Sequence, residues 1–587
     1  MDEGEITRLG HRKSLLFVNK KKQKNFVNLE LARTGQANAR SDLCYQKCFA
    51  SFFQKRCLLS VLPPGVARFR GLWGLGLGLT IGVASAAAQG VNPGWPMVRT
   101  AQGVLSGRPL PSGGGVFKGI PYAQPPVGPL RWRLPQPPMA WQGVRDAGSY
   151  GAACPQPPMR WSKDAGAGSE DCLFLNVWSP EISSGTGLPV MVFIHGGGFV
   201  DGSGAAPLYD GTALSTKGVV AITINYRLGV FGFLAAPQLS ASSPLHVSGN
   251  YGLADQIAAL RWVRANIARF GGDPAKVTVF GQSAGSTSIS DLMTSPLAAG
   301  LFRGAIMQSG PAVTPGGRMQ SLAEAQAKGA AFFAAQADST LSALRAIGTE
   351  QIMQRWQSFS QGRGRGGLGP IVDGWLLPKL PTEVYRAHAE MPIPILIGTN
   401  SRDNLIPGDD VHLVAALQKA YGPLAPAALR IYGLTGKSFP PKDPVGGSAS
   451  DVWGTDRGMR CPTIMQESLH AAQGSPVYAY QFEQSLQGLE AAGAAHTYEL
   501  PYVFGYMKWT PRIPATYGPR DQALSEIIQT YWTNFAKTGN PNDAQLPVWP
   551  RFEPRGRAYV RFSYAGAQVA SNLRGQACAL YQRRFFP

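Results

Sequence analysis

The stretch from Val277 to Gly285 reads Val-Thr-Val-Phe-Gly-Gln-Ser-Ala-Gly, and it constrains the fold of this chain more than any other stretch. Residues that favour β-structure run directly into a serine, with one glycine two positions before it and another two positions after it. This spacing predicts a sharp strand-to-helix turn, a nucleophile elbow, in which small flanking residues let the strand and the helix pass closely. The predicted nucleophile is Ser283.

The residues on either side of this turn support the prediction. A Gly-x-Ser-x-Gly pattern alone could be an ordinary turn, because the chain contains 71 glycines. Upstream, however, apolar residues recur at helical spacing before a glycine-rich turn at 271–274, and residues 286–292 can continue as a helix. The N-terminal N–H groups of that helix would point at the reacting centre. The apolar residues are Ile257, Leu260, Val263, Ile267 and Phe270.

Composition indicates a globular protein with one large domain. Of the 587 residues, 44% are hydrophobic and 15% are charged. No linker or repeat is evident after about residue 90, so we expect a single domain over residues 89–587.

The net charge is +20, but the first 70 residues, with 14 Lys or Arg and 5 Asp or Glu, supply +9 of it. The rest is diluted over a large surface without a nucleic-acid motif, so we expect no nucleic-acid partner.

Residues 66–88 have the three parts of a signal peptide. Two arginines precede a short apolar run over 72–83, and small residues follow it up to Gln89. A membrane anchor is the alternative, but this glycine-diluted run is short for a bilayer. We therefore expect cleavage before Gln89, export to the periplasm or the medium, and no stable membrane span in the mature chain. Residues 1–65 are a basic tail or sequence upstream of the true start, which would then lie near residue 66.

Four of the seven cysteines lie in the expected mature chain. An oxidising compartment outside the cytoplasm permits disulfides. The sequence itself leaves the pairing open, and free buried thiols remain an alternative. The four residues are Cys154, Cys172, Cys461 and Cys578.

A second glycine-rich turn follows a strand-like run. Val190 to Ile194 is continuously apolar, as expected for a strand in a sheet that is buried on both faces, and it ends at His195-Gly-Gly-Gly-Phe199. Glycines let backbone N–H groups approach a substrate closely, so this loop is a predicted oxyanion hole. A plain flexible loop is the alternative.

Taken together, these stretches resemble the type-B carboxylesterases of the α/β-hydrolase superfamily, a group that includes cholinesterases and bacterial p-nitrobenzyl esterase-like enzymes. The resemblance extends from about residue 97 to the C-terminus. It implies an α/β fold, in which a large, mostly parallel central sheet is flanked by helices, and it implies serine hydrolysis of carboxylic esters without a cofactor. The matching stretches are residues 117–123, 169–178, 195–199, 225–234, 249–253, 277–285 and 535–542.

The predicted general base is His496. An α/β-hydrolase uses its triad in the chain order serine, acid, histidine, and four histidines follow Ser283. His496 follows a small-residue loop and precedes residues 498–505, which resemble the histidine segment of the family. The positions of the other three are less suitable: His388 precedes the expected acid, His412 follows it too closely, and His470 lies in a helix-like run.

The predicted acid is Asp403. It lies on a loop just after the strand-like run 394–398, where this family usually has glutamate. Asp409 and Asp410 are rivals, but they lie further from the strand end. A shorter side chain at this position must still reach the imidazole.

The resemblance also implies the role of each residue. Ser283 attacks the carbonyl, His496 accepts and returns the proton, and Asp403 fixes the tautomer of the imidazole. The N–H groups of Gly197, Gly198 and Ala284 hold the oxyanion. Both cysteine pairs, Cys154 with Cys172 and Cys461 with Cys578, fall where members of the family carry disulfides.

Two residues bear on the substrate. Gln282 stands where cholinesterases carry glutamate, so one negative charge beside the alcohol side of the pocket is missing. Trp161 could still offer a cation–π face to a quaternary ammonium. We therefore expect a preference for neutral small-molecule esters.

Two rival functions remain: an amidase or peptidase with the same triad, and a non-catalytic binding module, which would have no need to keep all three triad members.

Overall fold

The chain divides into two units, Met1–Ala86 and Ala87–Pro587, and the second contains every residue that is described. The computed structural model describes residue 92 and the ranges 94–157, 168–183, 185–314, 319–336, 340–360, 368–403, 410–436, 438–509 and 515–587. The tail predicted for 1–65, the signal peptide predicted for 66–88, Trp161 and Asp409 lie outside the described residues.

Sixteen strands form three sheets in the described part of the chain. The strands are β1 (Met97–Arg99), β2 (Val104–Ser106), β3 (Arg108–Pro109), β4 (Gly115–Pro121), β5 (Val144–Asp146), β6 (Phe174–Ser179), β7 (Leu188–Ile194), β8 (Val220–Ile224), β9 (Gly272–Gln282), β10 (Gly304–Gln308), β11 (Gln320–Ser321), β12 (Ile371–Val372), β13 (Ile395–Asn400), β14 (Val477–Phe482), β15 (Ala558–Ser563) and β16 (Gly566–Ser571).

The main sheet has eleven strands in the order β16-β15-β14-β13-β10-β9-β7-β8-β6-β4-β3. Neighbouring strands from β15 to β8 are parallel, while β16 at one edge and β6, β4 and β3 at the other pair antiparallel. The two small sheets are β1-β2-β5 and β11-β12. The predicted fold class, a large, mostly parallel central sheet flanked by helices, is confirmed.

Helices cover both faces of the main sheet. They are α1 (Thr212–Ser215), α2 (Gly229–Phe233), α3 (Pro237–Ala241), α4 (Tyr251–Asn266), α5 (Ala284–Met293), α6 (Leu322–Ala334), α7 (Leu341–Ala346), α8 (Thr349–Ser360), α9 (Pro381–Arg386), α10 (Asp410–Tyr421), α11 (Ala425–Ile431), α12 (Ala449–Thr455), α13 (Cys461–Ala472), α14 (Leu500–Phe504), α15 (Pro519–Thr538) and α16 (Gly575–Phe585). None of the described helices is long and apolar enough to cross a bilayer.

Strand β7 explains how one apolar run serves two cores. Successive side chains of a strand point to opposite faces. Accordingly, Val190, Val192 and Ile194 lie in one buried cluster with α4 and α5, whereas Met191 and Phe193 lie in a second cluster with α14 and α15. The continuous apolar sequence is therefore required, because both faces of this strand are covered.

The segment that leads into the elbow follows the prediction, with one shifted boundary. Helix α4 ends at Asn266 and a 3₁₀ turn continues to Phe270. Gly271 then adopts φ 84°, which favours glycine, and ends the helical path. Strand β9 begins at Gly272, five residues before the predicted Val277, because its first residues pair with β7 at Leu188.

The four cysteines of the expected mature chain form two disulfides. Cys154 is bonded to Cys172, and Cys461 at the start of α13 is bonded to Cys578 in α16. The pairing is the one that the family resemblance implied. The second bond closes 117 residues of sequence and holds the C-terminal helix against the body of the domain.

Candidate active site

The candidate active site lies at the carboxyl edge of the parallel strands. Strands β7, β9 and β13 end at Ile194, Gln282 and Asn400, and the loops that follow them leave the sheet at this edge. In an open α/β sheet, ligands bind outside the carboxyl ends of the strands. The fold therefore brings together the loops that carry His195, Ser283 and Asp403.

Ser283 occupies a strained backbone conformation between β9 and α5. Its φ is 55° and its ψ is −123°, a region that costs a non-glycine residue about 1–3 kcal/mol. Its N–H donates to the carbonyl of Gln308 at the end of β10, at 2.8 Å. Strand β10, which neighbours β9, thus stabilises the backbone of Ser283 in this conformation.

Glycines make the elbow sterically possible. A Cβ on Gly285 would lie 1.9 Å from the carbonyl oxygen of Ile194, and a Cβ on Gly310 would lie 2.0 Å from the carbonyl oxygen of Ser283. At Gly281 the added atom would be 2.7 Å from the carbonyl carbon of Gly285. Real Cβ atoms do not approach backbone atoms so closely, so these positions require glycine.

Asp403 and His496 form a direct hydrogen bond. Nδ1 of His496 lies 2.6 Å from Oδ1 of Asp403, whose side chain is fully buried, while that of His496 is 15% exposed. The other carboxylate oxygen accepts from the N–H of Asn400, at 2.9 Å. The loop therefore turns the aspartate back towards its own strand, and the shorter side chain reaches the imidazole.

Asp410, the alternative acid that lies within the described residues, does not contact the imidazole of His496 and has a different partner. Asp410 is the first residue of α10, and its Oδ1 accepts from the N–H of Ser450, at 2.8 Å.

The second nitrogen of the imidazole contacts the residue before the predicted nucleophile. Nε2 of His496 lies 3.2 Å from the side-chain nitrogen of Gln282. An amide NH₂ group only donates, so Nε2 is the acceptor. Nδ1 then carries the proton and donates to Asp403. This tautomer is the one in which Nε2 can take up a proton.

The glycine loop after β7 passes beside Ser283. A Cβ on Gly196 would lie 3.0 Å from Cβ of Ser283. Gly197 and Gly198 follow with φ values of 110° and 63°, which glycine adopts without strain. Ala284, whose N–H belongs to the unpaired first turn of a helix, is the first residue of α5. The three predicted oxyanion donors therefore lie on segments that flank Ser283.

His195 supports this loop from inside the protein. Its ring stacks on Tyr226 at 4.4 Å between centroids, and Nδ1 donates to the carbonyl of Gly196, at 2.8 Å. The hydroxyl of Tyr226 donates to the carbonyl of His195, at 2.9 Å. Burial lowers the pKa of His195 to about 4, so the ring is neutral at neutral pH.

Gln156, which the sequence reasoning missed, pairs with the far end of the same loop. Its side-chain oxygen accepts from the N–H of Gly202 at 2.9 Å, and its side-chain nitrogen donates to the carbonyl of Gly202 at 3.0 Å. Because Gln156 follows Cys154 by two residues, the first disulfide segment is joined to the glycine loop.

The other histidines after Ser283 are not in this site. His470 is buried in α13, where its ring nitrogens contact Oε1 of Glu390 at 2.9 Å and the carbonyl of Ile393 at 2.8 Å. His412 lies in α10. His388 follows α9 with φ 52°.

A buried polar network next to Asp403 and His496 was also missed. Glu499, three residues after His496, accepts hydrogen bonds from the side chains of Gln308 and Asn400. A sequence signal was available, because a glutamate inside the apolar segment 498–505 must be buried with partners.

Comparison with known proteins gives a consistent result. The model of the carboxylesterase family matches residues 95–419 and 449–581. The chain is 38% identical over 477 residues to a fumonisin B1 esterase of Sphingopyxis macrogoltabida, covering 78% of this chain and 84% of that protein. It is 37% identical over 467 residues to the para-nitrobenzyl esterase of Bacillus subtilis, covering 75% of this chain and 89% of that protein.

Solved structures agree with the sequence comparison. The carboxylesterase EST55 of Geobacillus stearothermophilus superposes with a TM-score of 0.72 at 36% identity, covering 83% of this chain and all of that one. A thermophilic PNB esterase superposes with a TM-score of 0.71 at 35% identity, covering 82% of this chain and 99% of that one.

We predict that Gly285→Ala strongly destabilises the domain. The added methyl group meets a backbone carbonyl that cannot move without displacing β7, so we expect a loss of more than about 3 kcal/mol in the free energy of unfolding. Gly348→Ala is the matched control, because an added Cβ there meets no atom within 4 Å. Denaturant unfolding of both variants measures the difference, and equal stabilities would contradict the packing argument.

Proposed function

The chain belongs to the carboxylesterase family and hydrolyses carboxylic esters; from that premise we propose that Ser283, His496 and Asp403 are its catalytic triad. The single observation that carries the proposal is the 2.6 Å hydrogen bond from His496 to Asp403, formed beside a serine in an elbow conformation.

The proposed reaction proceeds through an acyl-enzyme. Oγ of Ser283 attacks the ester carbonyl while Nε2 of His496 takes up its proton. The protonated imidazole then gives this proton to the departing alcohol, and Asp403 stabilises the imidazolium. Water, activated by the same histidine, attacks the acyl-enzyme and releases the carboxylic acid.

We assign the oxyanion to the N–H groups of Gly197, Gly198 and Ala284. In the tetrahedral intermediate the former carbonyl oxygen carries a negative charge, and preorganised N–H donors stabilise it without a cost of reorganisation. The close approach of Gly196 to Ser283 supports this assignment. The supports at Tyr226 and Gln156 hold both ends of the loop.

The first test removes triad members one at a time. Ser283→Ala should leave the fold intact and remove nearly all activity on a p-nitrophenyl ester, because only binding and the oxyanion hole remain. Asp403→Asn should lower kcat by about four orders of magnitude, because the imidazole is held in the wrong tautomer. Initial rates on purified, folded variants measure both effects.

The matched control is Asp410→Asn, together with the same change at Asp409. These variants should keep the wild-type rate. A folded Ser283→Ala variant with an unchanged rate would overturn the mechanism. A large loss at Asp409 or Asp410, with Asp403→Asn active, would overturn only the choice of acid.

The alcohol side of the site suits neutral esters. Gln282 gives the region next to Ser283 an amide in place of a carboxylate, so a quaternary ammonium has no negative partner from this residue. We expect a higher kcat/KM for 3,3-dimethylbutyl acetate than for acetylcholine, which has the same shape. Gln282→Glu should shift the ratio of the two values towards the choline ester by at least about fivefold, because residue 282 is only 2% exposed and a charge pair formed there gains about 1 kcal/mol or more. A wild-type preference for acetylcholine contradicts this expectation.

We also propose that the enzyme is exported after processing before Gln89. The two disulfides support this localisation, because such bonds persist in oxidising compartments. The mature enzyme would then have about 499 residues. Intact mass and N-terminal sequencing of the native enzyme should give a chain that begins at Gln89. Recovery of a cytoplasmic protein with residues 1–60 attached and Cys154 and Cys172 reduced would rule export out.

A further inference from the structure

Glu499 lies where the three loops of the proposed triad meet. It precedes helix α14 and is 1% exposed. It is three residues beyond His496, so it belongs to the loop that carries the histidine. Its two carboxylate oxygens face the ends of two central strands, β10 and β13.

One oxygen of Glu499 connects to the elbow. Oε1 accepts from the side-chain nitrogen of Gln308, at 3.1 Å, and the backbone carbonyl of Gln308 accepts the N–H of Ser283. The indole N–H of Trp532 donates to the side-chain oxygen of Gln308, at 3.3 Å. This bond fixes the orientation of the amide, so that its NH₂ group faces Glu499.

The other oxygen connects to the loop of the acid. Oε2 accepts from the side-chain nitrogen of Asn400, at 2.6 Å. The same nitrogen donates to the carbonyl of Ala495, the residue before His496, at 2.7 Å. The backbone N–H of Asn400 donates to Asp403. Asn400 therefore joins both buried carboxylates to the histidine loop.

These contacts satisfy an ionised carboxylate. Both hydrogen-bonding neighbours are amide NH₂ groups, which donate and do not accept, and a protonated carboxyl would need an acceptor for its hydroxyl. Burial and the charge of Asp403 raise the pKa of Glu499 above its usual value, and the bond from Asn400 and the charge of His496 reduce this rise without reversing it. It is therefore the two donors that favour the ionised form. Burial raises the pKa of the Tyr209 and Tyr480 phenols, and the nearby charge of Glu499 raises it further.

We propose that Glu499 is a positioning residue of the active site, whose ionised carboxylate joins the loops of Ser283, Asp403 and His496 and stabilises the protonated imidazole during acyl transfer. The proposal rests on the triad proposed above. It assigns His496 two buried negative neighbours, of which one contacts the ring and the other acts through Asn400 and through space.

The test is the pH dependence of kcat/KM for Glu499→Gln on a neutral p-nitrophenyl ester. The acid limb reports protonation of His496, and loss of a nearby negative charge should move it to lower pH by about one unit. On the pH plateau we expect kcat to fall about tenfold, because a pKa shift of about one unit and a tenfold change in rate correspond to the same free energy. The change in KM should be much smaller. A substitution that only loosened the fold would lower activity without moving the limb.

The control is Glu467→Gln, which removes another buried carboxyl, from α13, whose pKa burial raises to about 8. It should leave the acid limb in place. Gln308→Met is a second variant that keeps the backbone carbonyl but removes one donor to Glu499. It disfavours the ionised carboxylate, and the limb should move in the same direction by a smaller amount. This variant decides the matter if Glu499→Gln does not fold.

An acid limb that stays at the wild-type pH in Glu499→Gln overturns the proposal, whether or not the rate falls, and so does a limb that moves equally in Glu467→Gln. If Glu499→Gln does not fold, an unmoved limb in Gln308→Met overturns it. These failures are distinct from failure of the triad, because Ser283→Ala would still be inactive.

Discussion

The strained peptide at Ser283 is the constraint on which the rest of the site depends. A positive φ with ψ near −123° is unfavourable for serine, so the surrounding atoms must leave the residue no alternative. The N–H is held by the carbonyl of Gln308, and the first turn of α5 lies against the carbonyl of Ile194. Both restraints come from neighbouring strands of the main sheet. The sheet therefore stabilises the elbow, and the elbow exposes the serine at the carboxyl edge.

The same neighbouring strands explain why distant parts of the sequence converge. Strands β7, β9, β10 and β13 are parallel, and each contributes its last residues to the same edge. Asp403 needs only to turn back on Asn400 to reach the imidazole. The loop after β13 thus turns the carboxylate towards the imidazole, so the short side chain of aspartate is sufficient for the contact.

Much of this arrangement could be predicted from local sequence, because the elbow and the glycine loop are encoded by residues close in the chain. Gly285 and Gly197 are needed for steric reasons that a motif captures. Asp403 could be predicted because it follows the end of a strand. His496 could be predicted because the segment after it resembles the histidine segment of the family. The onset of β9 at Gly272 could not be predicted, since it depends on pairing with β7. Gln156 was missed for a similar reason: its partner Gly202 is distant in sequence, and its bonds depend on side-chain conformation.

Glu499 illustrates the same limit at the level of charge. A lone glutamate in an apolar segment signals a buried carboxylate, but the sequence does not identify its donors, and the donors decide whether burial is tolerated. Here Gln308 and Asn400 donate to the two oxygens, and each also forms a hydrogen bond with a backbone group of, or next to, a member of the proposed triad. Burying a second negative charge near Asp403 opposes stability. In the proposed mechanism the imidazole of His496 becomes positive, and its positive charge then offsets the repulsion between the two carboxylates. Under this proposal, the two carboxylates repel each other in the resting enzyme, and the transition state relieves that repulsion.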